Sequence, residues 1–373
     1  MNLNHRVADK QSFEGLDVVM HKIQYPLTLV LPLGLTIVSF FSVRYHFGAE
    51  WDIGPFSTPF IPFISQQFAN IIQLDWSVIA SSLIISLYAL GALSFYFFVF
   101  ALTKRHLPAI ITSLLSMVPV IPFSNQAPER LSLALLQEDG AHVAAFSLSI
   151  LALTAFFVYL RKEKIAHLIV FTLISFVVIL LSFFATFVLW IMMLFLALSE
   201  MLVGQGKLKV KRFGIGILST FGLLVIVYNV SIVKMLVSSE GQTTLAVVTN
   251  FIPLTFFLIP LFGTFFFLIF DRRPQLQSLF LSLVLTLLFG ILHVVRLSLV
   301  DVSLLDQDRY ATELSFGLPF FLAIVVTWLF DFARTGKIAN SANPKTRFFG
   351  AVGIVVAILL LLVFSVVGIE RTL

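Results

Sequence analysis

The sequence predicts an all-α, polytopic transmembrane helix bundle of about eleven spans, with the N-terminus inside and the C-terminus outside. Three observations predict it. Of the 373 residues, 59% are hydrophobic and only 12% charged, against roughly 45–50% and about 25% in soluble domains. Apolar runs recur between short charged connectors. The basic residues are distributed unequally between alternate connectors. A mean hydropathy of +1.03 excludes a soluble enzyme and a disordered chain. The absence of cysteine excludes disulfides, thiolate metal sites and Cys nucleophiles together. A net charge of +5, spread along the chain, excludes nucleic acid as a partner.

Residues 1–24 are polar and charged and form a cytoplasmic segment without a cleavable signal pattern. Phe13, Leu16 and Met20 lie at i, i+3, i+7 beside Lys10 and Lys22. A short helix on the inner leaflet and a frayed tail both fit that spacing. The transmembrane domain is 25–368, and 369–373 is an outer tail. A span needs about 20 apolar residues to cross a core of about 30 Å. The runs are 25–44, 77–102, 107–124, 143–160, 165–181, 186–203, 213–236, 245–270, 277–296, 314–332 and 348–368.

The 35 residues between Lys164 and Glu200 carry no formal charge. As one helix they would be about 52 Å long at 1.5 Å per residue, too long for one bilayer. Charge bookkeeping favours two crossings with a turn near Ser182–Thr186; a re-entrant pair at 165–203 preserves the same parity. The excess Lys and Arg marks cytoplasmic loops. With two crossings, one face holds 18 basic and 7 acidic residues and the other holds 6 and 12. The net charges are then +11 and −6. A single crossing would move Lys207, Lys209, Lys211 and Arg212 to the acidic face.

Three loops of unusual composition fall on the acidic, outer side. Loop 45–76 carries Glu50, Asp52, Asp75 and three prolines among aromatics. The prolines forbid one continuous helix, and the aromatics forbid a fully solvated loop. It reads as a partly buried cap, with 63–73 an interfacial helix. Asp52 is either a base whose pKa is raised in that cap or an ordinary solvated or capping Asp. Loop 125–142 brings Glu138, Asp139 and His142 to the start of a span. The two acids suit a helix N-terminus. His142 is a candidate acid/base or phosphate contact. Loop 297–313 contains Asp306 and Asp308, two oxygen donors for a divalent cation in a pattern common by chance. Arg296 and Arg309 are two of the six outer basic residues. Arg296 can snorkel to lipid headgroups or hold a lipid-linked phosphate by a bidentate contact. Arg309 precedes Tyr310, which opens the next span.

The order of features resembles the GT-C superfamily of membrane glycosyltransferases, and within it the YfhO-like bacterial membrane proteins. The stretches that carry the resemblance follow the chain. One span leads to an outer loop with Trp51-Asp52. SLYALGALSFYFFVFALTKRHLPAIITSLLSMVPV (86–120) and EDGAHVAAFSLSILALTAFFVYLRKEK (138–164) come next. The paired short helices of 165–203 and DQDRYATELSFGLPFFLAI (306–324) complete the pattern. The resemblance implies a bacterial or archaeal plasma-membrane enzyme that takes a sugar from a polyprenyl-phosphate donor at the outer face. It implies Asp52 as the base and Arg296 and Arg309 as phosphate contacts, with Tyr310 beside them.

Two rivals remain. Pro119 and Pro122 in the third span, and Pro253 and Pro260 in the eighth, lie five spans apart, as the broken helices of an inverted-repeat transporter or lipid flippase would. Simple kinks account for the same prolines, which are frequent in membrane helices. A non-catalytic membrane scaffold subunit is the third reading.

Overall fold

The computed structural model describes residues 60–116, 140–203, 206–237, 274–294 and 310–335, together with helical residues within 30–41. No strand occurs among the described residues. The helices are α1 (Phe60–Ile72), α2 (Trp76–Thr103), α3 (His106–Leu115), α4 (Gly140–Lys162), α5 (Ile165–Leu181), α6 (Phe183–Val203), α7 (Gly206–Val237), α8 (Pro274–Val294) and α9 (Tyr310–Thr335). Among the described residues, four helical segments are long and apolar enough to cross a membrane: Trp76–Thr103, Gly140–Lys162, Phe183–Met201 and Leu208–Tyr228. The architecture is that of a helical membrane protein. Expected spans 25–44 (in part), 245–270 and 348–368 lie outside the described residues, as does the second half of 107–124.

Each helix starts and stops for a local reason. Pro62 lies in the first turn of α1, where a missing N–H costs no hydrogen bond. The expected interfacial helix at 63–73 is therefore longer at its start. Asp75 caps α2, its carboxylate accepting from the Ser77 N–H at 3.2 Å. α2 ends where Lys104 turns left-handed, at φ 58°. α4 ends the same way at Glu163, also at φ 58°. Each of these residues is followed by an extended one, Arg105 or Lys164. Two residues thus reverse the chain twice.

α4 defines two ends of the bundle. α5 returns antiparallel along it, so that Val178 and Leu181 pack in one cluster with Ala141 and Ala145. Ser182, extended at φ −153° and ψ 122°, breaks the apolar stretch. α6 then runs back: Phe184 lies against His142, and Glu200 lies against Arg161. The uncharged stretch is two helices folded back on each other, with the break where the length argument expects it. The Ser182 hydroxyl accepts from the Ala185 N–H at 3.2 Å, capping the new helix.

Phenylalanine fills the centre. Phe95 and Phe98 of α2, Phe146 of α4, and Phe316 and Phe320 of α9 are fully enclosed. Phe95 and Phe316 are 4.7 Å apart by ring centroid. Glycine sets two close approaches. A Cβ on Gly216 of α7 would lie 2.5 Å from the Phe156 ring, and one on Gly317 would lie 3.3 Å from the Thr286 backbone of α8. Buried polar groups tie helix to helix. Ser113 donates to the Ala92 carbonyl at 2.8 Å, Trp190 to Thr220 at 2.8 Å, and Tyr228 to the Ile179 carbonyl at 2.8 Å. The outward face of α5 shows Ile165, Ile169 and Leu173, and α7 shows Leu218, Phe221 and Ile226. Such stripes are costly in water and at rest in hydrocarbon.

Candidate functional site

The two ends differ in charge. Every cation whose side chain is described lies at the Arg161 end: Lys104, Arg105, Arg161, Lys162, Lys164, Lys209, Lys211 and Arg212. Asp75 and Glu313 lie at the opposite, His142 end. This is the division between connectors that the charge count anticipates.

At the Arg161 end, Glu200 is 1% exposed and is surrounded by donors. Arg161 donates to it from Nε at 3.0 Å and Nη2 at 2.7 Å. Lys209 Nζ donates at 2.6 Å and Gln277 Nε2 at 2.6 Å. Arg161 also stacks over Phe157 at 4.2 Å. Four helices, α4, α6, α7 and α8, meet on one carboxylate. Arg212 donates to the Leu160 carbonyl at 2.6 Å and pairs with Glu163. A cation there also suits the negative C-terminal end of α4. Glu200 is thus paired within the bundle.

At the other end lies a second buried pair. His142 sits in the first turn of α4 and Glu313 in the first turn of α9. The ring Nε2 and Oε1 of Glu313 are 2.9 Å apart, with side chains 2% and 0% exposed. Phe184 of α6 packs edge-on against the His142 ring at 5.0 Å. It also packs against Tyr310 at 5.3 Å. Phe289 of α8 stacks on Tyr310 at 6.4 Å. The second carboxylate oxygen of Glu313 and the Thr312 hydroxyl are buried without hydrogen-bond partners. An imidazole held by a buried carboxylate in an aromatic enclosure is equipped to move a proton away from water.

Of the expected site residues, the structure brings together His142 and Tyr310, through Phe184. Asp52, Arg296, Arg309, Asp306 and Asp308 lie outside the described residues. So do the paired prolines of the transporter reading. Glu313 falls within loop 297–313, ahead of the apolar run that starts at 314, and the sequence gives it no role. α9 begins at Tyr310, the residue expected to open the span, so the loop's last residues are helical and Glu313 is buried. The signal was legible in YATE: Tyr310 and Glu313 stand at i, i+3 on one helical face. Among the described residues, no group of three or more His, Asp or Glu side chains could hold a metal ion.

Comparison with protein-family models finds no match, and comparison with curated proteins finds none.

Proposed function

We propose that this chain is a multi-pass plasma-membrane glycosyltransferase of GT-C-like type, with the His142–Glu313 pair at its outer end serving as the acid/base. The basic Arg161 end faces the cytoplasm in this reading. The donor is a polyprenyl-phosphate-linked sugar. The single observation that carries the reading is the buried His142–Glu313 contact. Glu313 accepts from Nε2–H and so orients the imidazole that takes the proton of the acceptor hydroxyl, as the acceptor oxygen bonds to the anomeric carbon and the polyprenyl phosphate leaves. Glu313 then stabilises the imidazolium that forms, as a buried carboxylate does for a catalytic histidine. Closure from water suits transfer rather than hydrolysis of the glycosyl group.

Arg309, one residue before Tyr310, and Arg296 are the cations assigned to the donor phosphate. Asp306 and Asp308 are the oxygen donors assigned to a divalent cation, an assignment that chelation tests. Asp52 and His142 are rival bases. In proteoliposomes supplied with polyprenyl-phosphate sugar and an acceptor, His142→Gln should lower turnover by about 10²–10⁴-fold, with donor binding retained. Full transfer by His142→Gln, with loss in Asp52→Asn, would move the base to Asp52. Full transfer by both would end the enzymatic reading.

A buried His–Glu pair within membrane helices also favours a proton-coupled carrier. Proton uptake into the same vesicles on substrate addition, without bond cleavage, would select that reading.

A further inference from the structure

We infer that the Arg161 end carries a docking surface for the headgroup of an anionic phospholipid, centred on Lys104, Arg161 and Lys162 at the α2–α3 and α4–α5 turns.

The described side chains at this end include eight cations and two acids, Glu163 and Glu200. Both acids are already engaged, Glu163 by Arg212 and Glu200 by Arg161 and Lys209. Nothing in that arrangement neutralises Lys104 and Lys162. Desolvation lowers the Lys104 pKa, and the charges of Arg161 and Lys162 lower it further. Like charges therefore converge on one side of the bundle, which raises the free energy of the folded state unless an anion joins them.

The patch has a second component. Leu107 follows the first turn, and Ile165 follows the second; both are exposed, as are Ile169 and Leu173 further along α5. Cations at the rim followed by an apolar stripe match a phospholipid, with a phosphate at the surface and acyl chains below it. The stripe lies in hydrocarbon, so an anion that carries its own acyl chains reaches the cations from the bilayer and uses both components, whereas a soluble anion uses the cations alone. A glycine is not the residue at either left-handed turn position, although it would relieve strain there. At 104 the chain has a lysine instead, so a charge is kept where backbone preference favours none. This inference is independent of the glycosyl-transfer reading.

The test uses the full chain in detergent and native mass spectrometry, titrated separately with phosphatidylglycerol and phosphatidylcholine. The unaltered protein should bind phosphatidylglycerol in preference. Lys104→Gln/Lys162→Gln should lose about thirtyfold in that affinity, from about 1 kcal/mol per surface lysine and 1.4 kcal/mol per tenfold. Its phosphatidylcholine binding should be unchanged. Lys104→Arg/Lys162→Arg should retain the preference. Equal binding of both lipids by the unaltered protein would overturn the inference. So would a preference that survives the glutamine variant, or a loss of both lipids together. Should the double variant not fold, Lys162→Gln alone should lose about fivefold, and an undiminished preference there overturns the inference equally.

Discussion

At the residue scale, His142 and Glu313 are the least ordinary feature of the bundle. Each is enclosed, and each justifies the other's burial. Removing one leaves the other's polar group stranded. His142→Ala should therefore destabilise by about 3–5 kcal/mol, the usual cost of a buried, abandoned charge. Glu313→Gln keeps the volume and one hydrogen bond and should cost about 1.5–3 kcal/mol. Unfolding in a mild detergent, followed by tryptophan fluorescence, measures both. A His142→Ala protein as stable as the unaltered one would mean that the two groups do not meet. Gly216 gives a second residue-scale expectation. Ala there must displace the Phe156 ring and should cost about 1–3 kcal/mol. Gly222, whose added Cβ meets nothing within 4 Å, should accept Ala with a gain of up to about 1 kcal/mol from helix propensity. Equal melting shifts for the two variants would contradict the packing of α7 on α4.

At the scale of elements, the two reversals at Lys104-Arg105 and Glu163-Lys164 use the same left-handed-then-extended backbone with different side-chain commitments. Lys104→Gly removes a left-handed strain of about 1 kcal/mol and a crowded charge, and it should raise the melting temperature. Glu163→Gly relieves the same strain but strands Arg212, which also holds the Leu160 carbonyl. It should therefore be neutral or destabilising. The helices themselves were readable because apolar length and charged punctuation are one-dimensional signals. α5 and α6 are bounded by Lys164 and the Ser182 break, as the runs anticipate, and α4 ends at Lys162, two residues beyond its run. Starts were less readable from hydropathy. α4 begins three residues ahead of its run, at Gly140, and α9 four ahead, at the Tyr310 expected to open the span, because polar residues that look solvated in a hydropathy run are accommodated by partners on other helices. The His142–Glu313 pair spans 171 residues, and no local pattern announces a contact at that separation. His142 is legible as a candidate, and the YATE spacing sets Glu313 on the Tyr310 face, but their contact with each other is not legible.

For the whole molecule, one arrangement holds three features together: the charge division, the fold-back of α5 on α6, and the placement of the His142–Glu313 pair opposite the basic end. None of these depends on the direction in which the bundle is inserted, but the outer-face activity proposed for it does. The chain has no cysteine, so single cysteines at exposed positions near the two ends of the bundle report that direction against a clean background. The decisive measurement is labelling of Gln73→Cys, Lys162→Cys and Lys211→Cys in intact cells with an impermeant thiol reagent. The account predicts that Gln73→Cys reacts from outside, and that Lys162→Cys and Lys211→Cys react only once the membrane is opened. Labelling of Lys162→Cys in intact cells would reverse the bundle and contradict the account. Labelling of Lys211→Cys with Lys162→Cys protected would put the two positions on opposite sides, and α5 and α6 could not both cross.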